Sequence, residues 1–431
     1  NYGLTHTIRN ILVDEEFRLQ IMNSYKAECR VCKSKDLEPV ISFGKVPLAN
    51  NLIDDLNQNV ETFPLELFKC NSCNNCQLSY NVDPRLMFDH YLYTSSTSKS
   101  FVAHFDNAAE KYIKEYNLKK DDLIIDIGSN DGIGLRKFKE LEFDVLGIEP
   151  AKNISEIANK NGITTINSYF NTDAIKIINE QYRKPRIILA SNVFAHSNDL
   201  LEIATSAMNL LDDDGVFIIE VQYLVDTIKD LTFDNIYHEH YNYWSVIALQ
   251  NLFNQLDYNI SNVEKIDTHG GSVRIYIEKN QIKINPSVKD YIKEETVFGI
   301  DKPDVFIEFK NQIEESKINV LKNIKNIKTA SNKIAAYAAP AKASTKLNYY
   351  GISSDIIEFI VEDNPLKHNK IIPGVNIPIY DVDYLIEKDI KVVIVLAWNF
   401  FDYIVDKNKS LIDKGVRFIS IKDLEDPNFN F

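Results

Sequence analysis

All five cysteines of this 431-residue chain lie between positions 29 and 76, and residues 77–431 contain none. They come as CRVC, with Cys29 and Cys32, and as CNSCNNC, with Cys70, Cys73 and Cys76. An odd number of cysteines in one short stretch makes a poor disulfide framework. Two Cys-x-x-Cys turns offer four thiolates to one ion, the tetrahedral set that suits Zn²⁺. Such a shell leaves no open position, so the expected metal is structural and holds a module with little core of its own. An iron–sulfur cluster on the Cys-x-x-Cys-x-x-Cys run and a redox dithiol are the rival chemistries. Spacing alone leaves open whether Cys73 pairs with Cys70 or with Cys76. Pro39, Pro47 and Pro64 argue against any long helix in the module.

The rest of the chain must fold on its own core. Its length corresponds to two or three domains of about 150 residues. A hydrophobic fraction of 45% with 26% charged residues is ordinary for a globular protein. The formal net charge of −14 argues against a nucleic-acid partner, which needs a basic surface. No apolar run reaches 18 residues, so no membrane partner is expected. The start of the chain shows no secretory signal pattern, and the reduced cysteines suit a cytoplasmic setting.

Apolar strands alternate with helices from about residue 101. Strands are predicted at Leu123–Ile127, Val145–Ile148, Arg186–Ala190 and Val216–Glu220, with helices over Phe101–Tyr116, from Gly134, and over Ile154–Asn161. This pattern predicts a doubly wound, mainly parallel α/β sheet. Residues 224–285 are less regular, and residues 286–330 read as helical. A second alternating pattern follows at Lys333–Ala338, Ala343–Tyr350, Ile356–Glu362, Val392–Ala397 and Arg417–Ile421. The expected organisation is a helical N-terminal extension (1–27), a zinc-binding module (28–95), a central domain (96–285) and a C-terminal Rossmann-like domain (286–431).

LIIDIGSNDGIGL (123–135) runs an apolar strand into a glycine-rich turn and then a helix. Gly128, Gly132 and Gly134 allow close backbone approach by a ligand over the strand's carboxyl end. The spacing differs from the Gly-x-Gly-x-x-Gly of a dinucleotide site. Asp126 and Asp131 would repel a pyrophosphate, whereas S-adenosylmethionine brings a positive amino group and sulfonium and no phosphate. Glu149 ends the next strand, where a carboxylate can accept both ribose hydroxyls. A purely structural strand–turn–helix is the alternative.

Two of the eight histidines fall in NIYHEHYNYW (235–244). On a strand His238 and His240 point the same way, with Glu239 opposite. Either histidine could serve as a general base near neutral pH, or simply pack in the core.

At this point the chain resembles the bacterial deoxysugar C-methyltransferases, typified by the nucleotide-linked 3-C-methyltransferases of tetronitrose and mycarose biosynthesis. The resemblance spans about residues 28–431. Its landmarks include CRVC, CNSCNNCQL, YLYTSSTS, DIGSNDG, GIEPAKNI, SNVFAHSND, YHEHYNYW, THGGSVRIY, AAPAKASTKLNYYGI, EDNPLKHNKIIPG and LAWNF. It implies a zinc-binding N-terminal module, a central class I S-adenosylmethionine-dependent methyltransferase domain, and a C-terminal Rossmann-like domain that helps hold a nucleotide sugar. It implies Cys29, Cys32, Cys70 and Cys73 as the metal ligands, leaving Cys76 spare. Its catalytic cluster carries over to Tyr91, His196, Tyr237, Glu239 and His240, with Tyr93 a near neighbour. The cofactor set is Asp126, Gly128, Ser129, Asn130, Asp131, Gly132, Glu149, Pro150 and Asn192.

One departure stands out. The C-terminal loop of such proteins commonly carries glycines around its Pro-Ala-Lys, whereas here it reads AYAAPAKAST (336–345), and alanine tolerates a positive φ poorly. The reaction implied is abstraction of the C-3 proton of a nucleotide-linked 4-keto-6-deoxy sugar by His240, followed by methyl transfer to the enolate. His196, Tyr91 and Tyr237 would steady the oxyanion, and Glu239 would orient a histidine or a hydroxyl. Arg274, Lys342 and Lys346 are candidates for the diphosphate, dTDP being the expected carrier, in a monomer or weak dimer. O- or N-methylation, a non-enzymatic sugar-nucleotide-binding zinc protein, and, more remotely, a dehydrogenase are the competing functions.

Overall fold

The computed structural model of the chain describes residues 24–88, 94–97, 99–268, 270–280, 283–330 and 333–431. The helical arm expected over 1–27 lies outside them up to residue 23. Its end pairs Ser24–Tyr25 antiparallel with Tyr80–Asn81.

Seven strands form the central sheet, in the order Asn262–Ile266, Ser272–Glu278, Val216–Gln222, Pro185–Ser191, Leu123–Ile127, Asp144–Ile148, Thr165–Ile166. The last five are parallel, and Ser272–Glu278 runs against both of its neighbours. Leu123–Ile127 is buried along its whole length because helices cover both faces, which is why its sequence is an apolar run rather than an alternation. The helices Ile133–Glu140, Lys152–Lys160, Thr172–Gln181 and Leu200–Leu210 make the crossovers. The less regular residues 224–285 supply the reversed strand and its edge partner.

A second sheet has six strands, in the order Ile371–Ile372, Ile377–Tyr380, Ile360–Val361, Ile334–Tyr337, Val392–Val395, Arg417–Ser420. All but the first pairing are parallel. The strand expected over Ile356–Glu362 is shorter than predicted, because the amides of Ile356 and Ile357 both turn back to the Ser353 carbonyl. Helices Pro286–Phe298 and Pro303–Ala330 precede this sheet, separated by Gly299 at φ 87°.

The cysteine module is an antiparallel sheet of Asn242–Tyr243, Cys76–Leu78, Thr62–Cys70 and Leu37–Pro47. Pro39 and Pro64 sit within its long strands, and the register slips between Pro39 and Ile41 and between Ser42 and Lys45. Proline survives in a sheet at such irregularities, where no ladder bond is asked of it. The first of these strands belongs in sequence to the histidine segment. That pairing stitches the module to the central sheet, helped by the Tyr241 hydroxyl donating to the Val82 carbonyl at 2.6 Å. One apolar core runs through the three larger sheets. Among the described residues, no helix is long and apolar enough to cross a membrane.

Candidate active site

The sulfurs of Cys29, Cys32, Cys70 and Cys73 lie within 4.8 Å of one another, with Cys29–Cys73 and Cys32–Cys70 at 3.5 Å. Four convergent thiolates without a disulfide fit a closed Zn²⁺ shell. Cys76 is outside the group, and burial pushes its thiol well up, so it packs as an apolar residue.

At the carboxyl end of Leu123–Ile127 the chain turns through Gly128 at φ 64°. A Cβ there would also come within 2.4 Å of Val193, so the turn requires glycine on both counts. The Asn130 amide donates to one oxygen of Glu149 and the Ala151 amide to the other, both at 2.9 Å, which fixes the plane of that carboxylate. Burial, and then the nearby charge of Glu149, push the Asp126 carboxyl up to about 8. Burial also raises Glu149. Two crowded acids over a glycine turn fit a cationic ligand that also carries a ribose. Asp126, Gly128, Ser129, Asn130, Glu149, Pro150 and Asn192 face one large cavity. Asp131 and Gly132, expected in the same set, do not line it. One oxygen of the Asp131 carboxylate accepts from the Ser96 amide at 3.1 Å, its other oxygen is buried with no partner among the described residues, and Gly132 caps the following helix at φ 86°.

Across the cavity stands His240, almost wholly buried. Its Nδ1 lies 2.9 Å from the Asn235 carbonyl oxygen. A carbonyl only accepts, so the proton sits on Nδ1 and Nε2 carries the lone pair of a base. The His196 ring meets His240 edge-on at 4.8 Å, and the Tyr237 ring lies at 4.2 Å. Burial lowers His196 to about 4, so it is neutral. Its Nδ1 and the Tyr243 hydroxyl are buried with no hydrogen-bond partner among the described residues, as orphans a bound substrate would satisfy. Glu239 accepts from Asn50 Nδ2 at 2.5 Å, and Asn50 is itself on the cavity wall. His238 lies 3.3 Å from the Phe63 carbonyl and is lowered to about 4 by burial, which makes it structural. Tyr91 and its neighbour Tyr93 lie outside the described residues.

The third wall comes from the second sheet. Its turn, Ala338–Pro340, leads into helix Ala341–Tyr350, and Ala338 sits at φ 71°. Lys342 and Lys367 line the cavity here, and burial lowers both ammonium groups. Arg274 and Lys346, expected beside the diphosphate, are not on the wall but face carboxylates. Arg274 is paired at 2.7 Å with buried Glu220, and Lys346 at 2.6 Å with Glu425. The cavity encloses about 1290 Å³, more than the ~300–1,000 Å³ of a typical small-molecule site, so it has room for two ligands.

Sequence reasoning missed Asn50, Lys367, Tyr243 and His104. Tyr243 stood in the histidine segment and could have been found there. Asn50 and His104 carry no local signal, since only the packing of distant elements turns them inward.

Three family models match: a zinc binding domain at residues 29–88, a methyltransferase domain at 102–263, and a C-methyltransferase C-terminal domain at 267–421. The C-methyltransferase NovU of Streptomyces niveus is 32% identical over 396 residues, covering 91% of this chain and 94% of its own. Among solved structures, the plantazolicin methyltransferase BpumL in complex with SAH and a desmethylPZN analogue is 15% identical. It covers 42% of this chain and 84% of its own, with a TM-score of 0.34. A SAM-dependent methyltransferase from Archaeoglobus fulgidus is also 15% identical, covering 41% and 94%, at a TM-score of 0.34.

Proposed function

This chain belongs to the C-methyltransferase family, and from that premise we propose that it methylates C-3 of a nucleotide-linked 4-keto-6-deoxy sugar, with S-adenosylmethionine as donor and dTDP as the expected carrier. S-Adenosylmethionine supplies an electrophilic methyl group when bound over the glycine turn. The observation that carries the reading is His240, whose Nδ1–H is tied to the Asn235 carbonyl while its ring faces a cavity that an acidic turn and a lysine-bearing turn both line.

His240 takes the C-3 proton on Nε2. The electrons left behind form an enolate whose carbon is the nucleophile and whose oxygen is the developing anion. Tyr237 and His196 stand beside His240 to donate to that oxygen, and neutral His196 can do so without an added charge. Tyr91 belongs to this cluster by the family's pattern. Glu239, held by Asn50, fixes the histidine loop. Glu149 takes the ribose hydroxyls of the donor, and Lys342, with Lys367 beside it, takes the diphosphate of the acceptor. The thiolate cluster holds Zn²⁺ as a structural ion, far too closed to touch substrate.

The test is mass spectrometry of the protein with S-adenosylmethionine and a panel of nucleotide-linked 4-keto-6-deoxy sugars in deuterated water. One methyl gained on carbon, with deuterium exchange at C-3, is the expected result. Methyl gained on oxygen or nitrogen, without exchange, would replace it with O- or N-methylation.

A further inference from the structure

S-Adenosylmethionine carries two positive groups and one negative one, its α-carboxylate. The acidic turn answers the positive groups, but a carboxylate lowered beside Asp126 and Glu149 needs a donor of its own. Among the described residues, the cavity wall carries six side chains that can hold positive charge: Lys26 from the cysteine module, Lys342 and Lys367 from the second sheet, and His104, His196 and His240 around the central sheet, where the donor's acidic turn lies. Of these histidines, His196 is held neutral by burial, and His240 has its Nδ1 proton tied to the Asn235 carbonyl. His104 remains.

His104 lies on helix Lys99–Glu115, whose next residue packs over the glycine turn. A Cβ built on Gly134 would come within 3.8 Å of Phe105 and 2.5 Å of the Asp126 carboxylate. The His104 Nε2 lies 2.9 and 3.1 Å from the two oxygens of Glu220. Glu220 sits in the strand beside Ser191, and Arg274 of the reversed strand donates to it through Nε at 3.1 Å and Nη2 at 2.7 Å. Burial resists charge on Glu220, yet the His104 hydrogen bond and the Arg274 charge outweigh it and hold the carboxyl down at about 2. Glu220 is therefore an anion that fixes the imidazole with Nε2 as donor. Nδ1 has no hydrogen bond among the described residues, and an imidazolium donates from both nitrogens.

We propose that His104, oriented by the buried Glu220–Arg274 pair, binds the α-carboxylate of S-adenosylmethionine. The arrangement gives Arg274 a positioning task in place of the diphosphate contact expected from sequence. The assignment rests on the donor alone, so the sugar can be wrong without affecting it.

The experiment is calorimetric titration of the whole protein with S-adenosylmethionine and with decarboxylated S-adenosylmethionine, which keeps the amine and sulfonium. The unaltered protein should prefer the full cofactor by roughly tenfold or more, the scale of a hydrogen bond to a charged group. His104→Ala should lose that preference, with affinity for the decarboxylated form changed by less than about twofold. His104→Gln, which keeps a donor for Glu220 but no charge, should also lose it. Equal weakening toward both compounds would mean that His104 only shapes the pocket, and would overturn the proposal. Equal affinity of the unaltered protein for both would overturn it without any variant. Binding of neither would remove the donor assignment on which it rests.

Discussion

The two parallel sheets present the same turn to one cavity with different charges. In the first, the Gly128 amide donates to the Ile148 carbonyl; in the second, the Ala338 amide donates to the Val361 carbonyl, each at 2.8 Å. Glu149 collects the amides of Asn130 and Ala151, and Glu362 those of Ala339 and Asn364. Both turns pass through positive φ, at 64° and 71°. The backbone scheme is thus closely parallel, although one donor to the glutamate lies two residues after Gly128 and one residue after Ala338. What differs most is the side chains around it. The first turn has buried Asp126, while Ala336 holds the corresponding place in the second, which has Lys342 and Lys367 on its rim. A strand–turn–helix fixes where a ligand sits, and a few side chains decide the sign of charge it accepts.

His240 is where the two turns' ligands would meet, so its loss should break the most. His240→Ala is expected to lose at least about a hundredfold in turnover, the scale of general-base catalysis, with donor affinity nearly unchanged by calorimetry. Exchanging effects between the turns comes next. Glu149→Gln should weaken S-adenosylmethionine by about tenfold and leave the nucleotide sugar alone, whereas Lys342→Ala should do the reverse, read as separate dissociation constants. If either variant weakened both ligands equally, the division of labour would fail.

The opposed charges also predict opposed pH slopes. The folded Asp126 carboxyl is pushed up to about 8, far above its unfolded value. The stability it contributes is therefore present at low pH and lost as pH rises toward 8. A cationic ligand draws that pKa down and releases a proton, so donor affinity should climb several-fold between pH 6 and 8, and Asp126→Asn should flatten the climb. Lys342 and Lys367 are lowered by burial, so an anionic ligand should bind better as pH falls. The smallest effect concerns the turn itself. Ala338→Gly relieves a left-handed alanine worth about 1 kcal/mol, partly offset by glycine's entropy in the unfolded chain. A slight rise in the denaturation midpoint is expected.

Much of the architecture was written in local pattern. Leu123–Ile127 was legible to the residue because a doubly covered strand must be apolar throughout. The four thiolates were legible as a set because Cys-x-x-Cys needs only its own turn to converge, although spacing could not choose between Cys70 and Cys76. The strand at Ile356–Glu362 was overread, since an apolar run does not reveal that its first residues turn back on Ser353.

Charge was least legible in the sequence. Arg274 and Lys342 look alike in a sequence, each a cation near a glycine- or alanine-rich loop. Arg274 finds Glu220, 54 residues away in sequence, across an antiparallel pairing, and is spent inside the fold. Lys346 likewise finds Glu425 and Asp234, while Lys342, one helical turn earlier, reaches the cavity. The sequence by itself determined the apolar parallel strands, the glycine turn and the Cys-x-x-Cys pairs, because these depend on neighbours along the chain. Only the tertiary structure decided which charges meet a ligand and which meet each other, because a buried charge takes the nearest partner in space, and that partner is set by how three sheets close around one cavity.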